Sequence, residues 1–154
     1  MPAVERFFVD TNVLLYSVDH SDPTKQAAAN GWLTALWESG AGCISWQVLH
    51  EFTVNASRKL RTPSPKARSL VEAYATWQTI ETSFGLMQRA WHWMDVAQFS
   101  YWDSLIVAAA ERGGCTWLLT EDLQAGRKLE MVTIVNPFQR QPSCFDLPKN
   151  ARKQ

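Results

Sequence analysis

Short, nearly all-apolar runs alternate along this chain with longer amphipathic stretches, and this alternation predicts an α/β fold. The expected architecture is an α/β/α sandwich around a central, mostly parallel sheet of about five strands. Three observations carry it. The apolar runs are four to six residues long, too short for helices. They are apolar almost throughout, as strands covered on both faces are. The segments between them carry helix start and stop signals.

In chain order, RFFV (6–9) reads as a buried strand that stops at Asp10. Asp22-Pro23 places a capping residue before a proline at the first helical position and opens a helix through about Ser39. Gly40 and Gly42 break the chain before GCIS (42–45), the second strand. A helix from Trp46 to about Leu60 follows, its apolar stripe formed by Leu49, Phe52, Ala56 and Leu60. Ser64-Pro65 repeats the cap-plus-proline signal and starts a helix to about Trp77. QTIE (78–81) is a weaker strand, and Ser83–Gln98 is helical again. The helix Trp102–Arg112 ends at Gly113-Gly114, while CTWLLT (115–120) and MVTIVN (131–136) are the last two strands. Residues 1–140 are expected to form one domain, and 141–154 a polar, flexible C-terminal tail.

At 154 residues and 46% hydrophobic content, one domain with a real core is expected. Fifteen Lys and Arg balance fifteen Asp and Glu, so no global basic field draws the protein onto nucleic acid. A polyanionic partner must then be held by local patches or by cations. Cys43, Cys115 and Cys144 are too few and too scattered for a disulfide framework. With no signal peptide at the N-terminus and no apolar stretch of spanning length, a cytoplasmic domain without membrane association is expected.

In parallel sheets, ligands bind beyond the carboxyl ends of the strands. Asp10 ends the first strand there, and Asp122 lies just past CTWLLT. Glu51 sits in the helix after strand two, and Asp103 near the start of the helix before strand four. Singly, each has an ordinary explanation as a helix cap, flank or turn acid. Together they put four carboxylates at one edge of the sheet, where they repel unless cations neutralise them. Mg2+ or Mn2+, which prefer oxygen ligands, would do so. Arg58, Lys59 and Arg61, just past the Glu51 helix, are candidates to hold a phosphate backbone, although such a run also suits a solvated helix end.

Other chemistries fail on inspection. His50-Glu51 begins a zinc-protease pattern, but Val54 stands where its second histidine belongs. Neither a glycine-rich phosphate loop nor a GxSxG nucleophile turn is present. His20, His50 and His92 are far apart in sequence. Most of the eight tryptophans are expected in the core or a subunit interface, base stacking being the weaker alternative.

The segments FFVDTNVLLY, VLHEFTVN, SYWDSLIVAAA, CTWLLTEDLQAG and TIVNPF, in this order, resemble a PIN domain. More narrowly they resemble the VapC-type toxins of bacterial toxin–antitoxin pairs, over residues 5 to about 138. The resemblance implies a metal-dependent endoribonuclease. It places the catalytic acids on Asp10, Glu51, Asp103 and Asp122, with Glu121 the one ambiguity for the fourth. Asp10, Asp103 and Asp122 would hold Mg2+ or Mn2+, and Asn12 and Thr120 would order the site. It further implies a homodimer and a small antitoxin that blocks the cleft.

The leading functional expectation is hydrolysis of RNA phosphodiester bonds by metal-activated water, leaving 5′-phosphate and 3′-hydroxyl ends. One alternative is a phosphatase or phosphoryl-transfer domain with Asp10 as nucleophile, although the second acid such enzymes use is replaced by Asn12. Another is a non-catalytic scaffold that binds a partner through its tryptophan-rich helices.

Overall fold

A computed structural model describes residues 4–148. Its centre is a six-stranded sheet in the order β3-β2-β1-β4-β6-β5. The strands are β1 (Phe7–Val9), β2 (Gly42–Ser45), β3 (Gln78–Ile80), β4 (Trp117–Leu119), β5 (Lys128–Leu129) and β6 (Val132–Val135). All neighbours pair parallel except β5, which is antiparallel to β6. The five expected strands are all present. The sixth, β5, is two residues long, with Lys128 exposed and Leu129 buried, too short to show any periodicity.

Six helices connect and cover the strands: α1 (Thr11–Tyr16), α2 (Pro23–Ser39), α3 (Trp46–Arg58), α4 (Ser64–Tyr74), α5 (Phe84–Ala97) and α6 (Tyr101–Arg112). Phe7 and Phe8 are both fully buried. Successive strand residues face opposite ways, so the sheet is covered on both sides. On the Phe7 side lies Trp32 of α2, its ring centroid 5.6 Å away. On the other side Cys43, in register with Phe8, meets the end of α6 at Gly113. A Cβ on Gly113 would fall 2.6 Å from the Cys43 sulfur, so only glycine permits this approach.

Several boundaries follow the local signals. Asp22 caps α2 by accepting from the Lys25 amide, with Pro23 in the first turn. Ser64, expected as a cap, is instead the first residue of α4; Pro63 precedes it and no side chain caps the helix. That helix stops at Tyr74, short of Trp77, whose ring packs against Trp37 and Tyr74 at 5.0 Å each.

The expected loose tail needs correction over residues 141–148. Pro142–Cys144 form a 3₁₀ turn that brings Phe145 onto Phe7, Trp32 and Trp117, at centroid distances of 5.3, 5.4 and 5.1 Å. The Arg140 guanidinium lies 4.3 Å over the Phe145 ring, and the Trp32 indole N–H donates to the Pro137 and Arg140 carbonyls. The average polarity of this stretch hid one aromatic that fills a gap between three others. Residues 149–154 of the expected tail lie outside the described residues. Phe145→Ala should lower the unfolding free energy by about 2 kcal/mol, less than for a fully buried ring because Phe145 is only half-buried. Urea unfolding checks this, and an unchanged midpoint would mean the contact contributes nothing.

Candidate active site

The chain leaves β1 at the centre of the sheet, goes to β2 and β3 on one side, and returns to β4 and β6 on the other. The crevice beyond β1 and β4 is therefore the switch point of the sheet, where α/β folds place their ligands. Asp10 stands at its edge, 6% exposed. It caps α1: one carboxylate oxygen accepts from the Thr11 amide at 2.7 Å. The other accepts from the Thr120 hydroxyl at 2.8 Å and the Asn12 amide at 3.3 Å. The cap and the strand-end acid proposed as alternatives are thus one residue with both properties.

Glu51 reaches the same place because β2 runs directly into α3, with Ser45 capping the Val48 amide. Both of its oxygens are held, Oε2 by the Thr11 hydroxyl at 2.6 Å and Oε1 by Gln47 Nε2 at 2.9 Å. Asp103 lies in the first turn of α6 and is not the cap; Ser100 caps the helix and accepts from the Asp103 amide. Asp122 is positioned by its own amide on Thr120 Oγ1 (3.1 Å) and by Asn12 Nδ2 on its Oδ2 (3.1 Å). Thr120 is the hub. Its hydroxyl donates to Asp10 and accepts from Asn12 (3.0 Å) and from the Asp122 amide.

All four acids line one cavity of about 230 Å³, together with Asn12, Gln47, Asn55 and Trp102. No salt bridge among the described residues engages any of them. The charge has consequences for Asp10, whose pKa is pushed up to about 7. Burial is the main cause; the Thr120 and Thr11 hydrogen bonds oppose it, and repulsion from Asp122 and Glu51 adds to it. Burial also raises Asp103, with further repulsion from Asp122 and Glu51. The N-termini of α1 and α6 offset a part of this charge.

The donor set fits a hard divalent cation. It is all oxygen, net negative and partly desolvated, which suits Mg2+ or Mn2+. Among the described residues no three acidic, histidine or cysteine side chains already converge as a closed metal cage. The carboxylates ring the cavity instead, as a hydrated ion that takes one or two of them directly would need.

The structure separates the two candidates for the fourth acid. Glu121 turns away to the Lys25 ammonium at 2.7 Å, while Asp122 faces the acidic cavity. Of the three basic candidates, Arg58, Lys59 and Arg61 are all exposed, and Lys59 lines a second cavity next to the first. Sequence reasoning gave no role to Thr11, Gln47 or Trp102. Gln47 is four residues before Glu51, a spacing that faces two side chains on a helix and would have found it. Trp102 adjoins Asp103, but nothing in sequence distinguishes it from the other tryptophans. It is 62% exposed at the cavity's rim, its carbonyl 3.4 Å from Gln47 Nε2.

A family model for the PIN domain matches residues 7–128. The chain belongs to the PIN-domain family. No curated protein sequence matches it. Among solved structures, this PIN domain is similar to a protein of a toxin–antitoxin complex from Klebsiella pneumoniae, with a TM-score of 0.64 and 21% identity. That match covers 86% of this chain and 98% of the other. It is also similar to Mycobacterium tuberculosis VapC20, described as a sarcin–ricin loop cleaving toxin, with a TM-score of 0.58, 19% identity and coverage of 73% and 86%. A third neighbour is from the DNA-bound VapBC complex of Salmonella typhimurium, with a TM-score of 0.58, 16% identity and coverage of 85% and 97%. The structural neighbours of this PIN domain are thus VapC-type proteins of toxin–antitoxin systems.

The burial of Asp10 makes a stability prediction for the ion-free PIN domain. Its carboxyl ionises near 3.8 when unfolded and near 7 when folded. The folded state therefore binds the proton more tightly. The stability this contributes is complete below pH 3.8 and declines as the pH rises through about 7. Asp10→Asn should remove that decline and stabilise the protein in EDTA at pH 8 by roughly 4 kcal/mol, with little difference at pH 4. Parallel stability curves for the two proteins across this range would refute the assignment.

Proposed function

We propose that this PIN domain is a Mg2+- or Mn2+-dependent endoribonuclease that hydrolyses RNA phosphodiester bonds, and that it is the toxin of a toxin–antitoxin pair acting in the cytoplasm. The observation that carries the reading is the ring of four carboxylates, none in a salt bridge among the described residues, at the switch point of a PIN fold. RNA as substrate rests on the likeness to VapC20, a cleaving toxin by its description.

In this reading Asp10, Asp103 and Asp122 would hold the ion, directly or through its waters, and Glu51 would orient the attacking water. A divalent ion bound there supplies a lowered water pKa and charge compensation for the phosphate. The remaining work belongs to the chain. Thr120 and the Thr11 amide fix Asp10 in one rotamer. Thr11 and Gln47 clamp both oxygens of Glu51, leaving it one orientation toward the cavity. Asn12 ties Asp10 to Asp122, so the two acids keep a constant spacing. Water adds to phosphorus as the P–O3′ bond breaks, giving a 5′-phosphate and a 3′-hydroxyl. Trp102 offers an exposed ring at the rim on which an unpaired base can stack. Lys59, with Arg58 and Arg61 beyond it, offers positive charge for the backbone.

The antitoxin assignment draws on neighbours that are themselves toxin–antitoxin complexes. Exposed apolar residues on α5 (Phe84, Trp91) and α3 (Trp46, Val54) supply surface for such a partner or for a second copy of the chain. No helix among the described residues is long and apolar enough to cross a membrane.

The test is purified protein on total RNA with Mg2+ or Mn2+, mapping new 5′-phosphate ends. Discrete ends that vanish with EDTA and in Asp10→Asn and Asp103→Asn are expected; full activity in either variant would sink the assignment. Independently of cleavage, Mn2+ should raise the melting temperature of the wild type but not of Asp103→Asn, because a ligand of the folded state stabilises it. Trp102→Ala should raise KM for RNA about tenfold with kcat nearly unchanged, the loss of one stacked base. An unaltered KM would exclude stacking.

A further inference from the structure

Beside the acidic cavity lies a second one of about 210 Å³. The two share Asn12 and Leu15 as a common wall. The second is floored by Leu15, Leu60 and the Tyr16 ring, and rimmed by Asp19, Lys59 and Glu121. Its walls are set before any ligand arrives. Tyr16 is held edge-on by Phe138 at 5.0 Å, with the Lys25 ammonium 4.7 Å over its ring. The same ammonium pins Glu121 at 2.7 Å.

We infer that this cavity is a nucleobase subsite, filled by an unpaired base of the strand whose phosphate lies at the four acids. The inference rests on the ribonuclease reading above and deepens it by naming what the site selects. Size is the first reason. The volume is below the roughly 300–1,000 Å³ of sites that enclose a drug-sized ligand, so it suits a single heterocycle. Continuity is the second: the two cavities adjoin at Asn12 and Leu15, so a chain leaving the acids over these two residues enters it directly. The character of the lining is the third. An apolar floor with polar groups at the rim is how single-stranded bases are bound, faces on side chains and edges on hydrogen-bonding groups. Lys59 stands where it can meet a phosphate of the same nucleotide.

The rim also indicates which base. Asp19 Oδ1 accepts from the Ser21 amide and hydroxyl, at 3.0 and 2.6 Å, while Oδ2 has no partner among the described residues. A carboxylate is acceptor-only, so it selects a base edge that presents N–H donors. Guanine fits best, because its N1–H and exocyclic amino group lie side by side and can both donate to the free Oδ2, which has two acceptor sites. Uracil, whose single imino N–H is flanked by two carbonyls, fits worst.

The test uses the whole protein in two arms. In the cleavage arm, cut sites mapped on total RNA should show guanine enriched at one fixed offset from the scissile bond. Asp19→Asn, which retains the Oδ1 acceptor for Ser21, should reduce that enrichment about tenfold while cutting continues. In the binding arm, guanosine 5′-monophosphate should shift NMR signals of Leu15, Tyr16 and Leu60 at concentrations where uridine 5′-monophosphate does not. Asp19→Asn and Leu60→Trp, which fills the cavity, should each abolish the difference, with folding checked by melting. Cutting with no base preference, or with a preference that Asp19→Asn leaves intact, overturns the subsite and leaves the nuclease standing. An absence of cutting together with selective, Asp19-dependent nucleotide binding has the opposite meaning. Equal binding of both nucleotides, or signals shifting elsewhere, overturns the subsite by itself. An effect of Leu60→Trp confined to capture of a protein partner would assign the cavity to a peptide side chain and overturn it as well.

Discussion

The carboxylate of Asp10 is buried at the one point of the sheet where the strand order turns back on itself, with three further acids around the same cavity. Almost everything else in the molecule is arranged around that burden. A buried carboxylate with no counterion is costly, and the protein meets the cost with hydrogen bonds: an amide, a hydroxyl and a carboxamide all donate to it. Those bonds do not offset its burial, which pushes its pKa up to about 7. A fold selected only for stability would have an apolar residue there. The strain is tolerable because it sits at a crevice open to ions, not in the closed core a strand away, where Phe8 and Leu118 are fully buried.

The acids are delivered by abrupt transitions between regular elements. β1 passes into α1 through Asp10 alone, and β2 into α3 with no intervening residue. Such junctions leave little freedom, and the side chains on them inherit the rigidity of the sheet. Asp103 follows a turn between α5 and α6, and Asp122 lies exposed on the loop after β4, held by Thr120 and Asn12. Two short polar side chains therefore do for a loop residue what the backbone does for Asp10.

Much of this could be seen in the sequence, for a physical reason. Strands buried on both faces must be apolar almost throughout, so RFFV, GCIS and CTWLLT stand out against their surroundings. An acid that interrupts such a run, as Asp10 does, is conspicuous because it breaks the pattern that burial demands. What stayed hidden depends on contacts between distant residues. The resemblance favours Asp122 and leaves Glu121 as the ambiguity, and it is Lys25, 96 residues away, that draws Glu121 out of the cavity. Phe145 lies in a polar stretch and is identified as core by three aromatics from elsewhere in the chain. β5 exists only because β6 offers it an edge. Thr11 lies in the FFVDTN segment, yet its role appears only when α3 brings Glu51 to its hydroxyl.

Asn12 marks where chemistry and selection divide. Its amide nitrogen faces the acids, touching Asp10, Thr120 and Asp122, while the residue also walls the neighbouring cavity. Glu121 and Asp122, consecutive in the chain, point one to each side of this divide. The acidic side is tightly specified around Asp10 and Asp122: moving either carboxylate disturbs the Asn12 and Thr120 hydrogen bonds that tie the two together. The far side is apolar floor and exposed rim, where Asp19, Lys59 and Leu60 can change without breaking a bond to the acids. If the four carboxylates hydrolyse RNA as proposed, substrate preference should be sought across Asn12 from them, around Leu15 and Leu60.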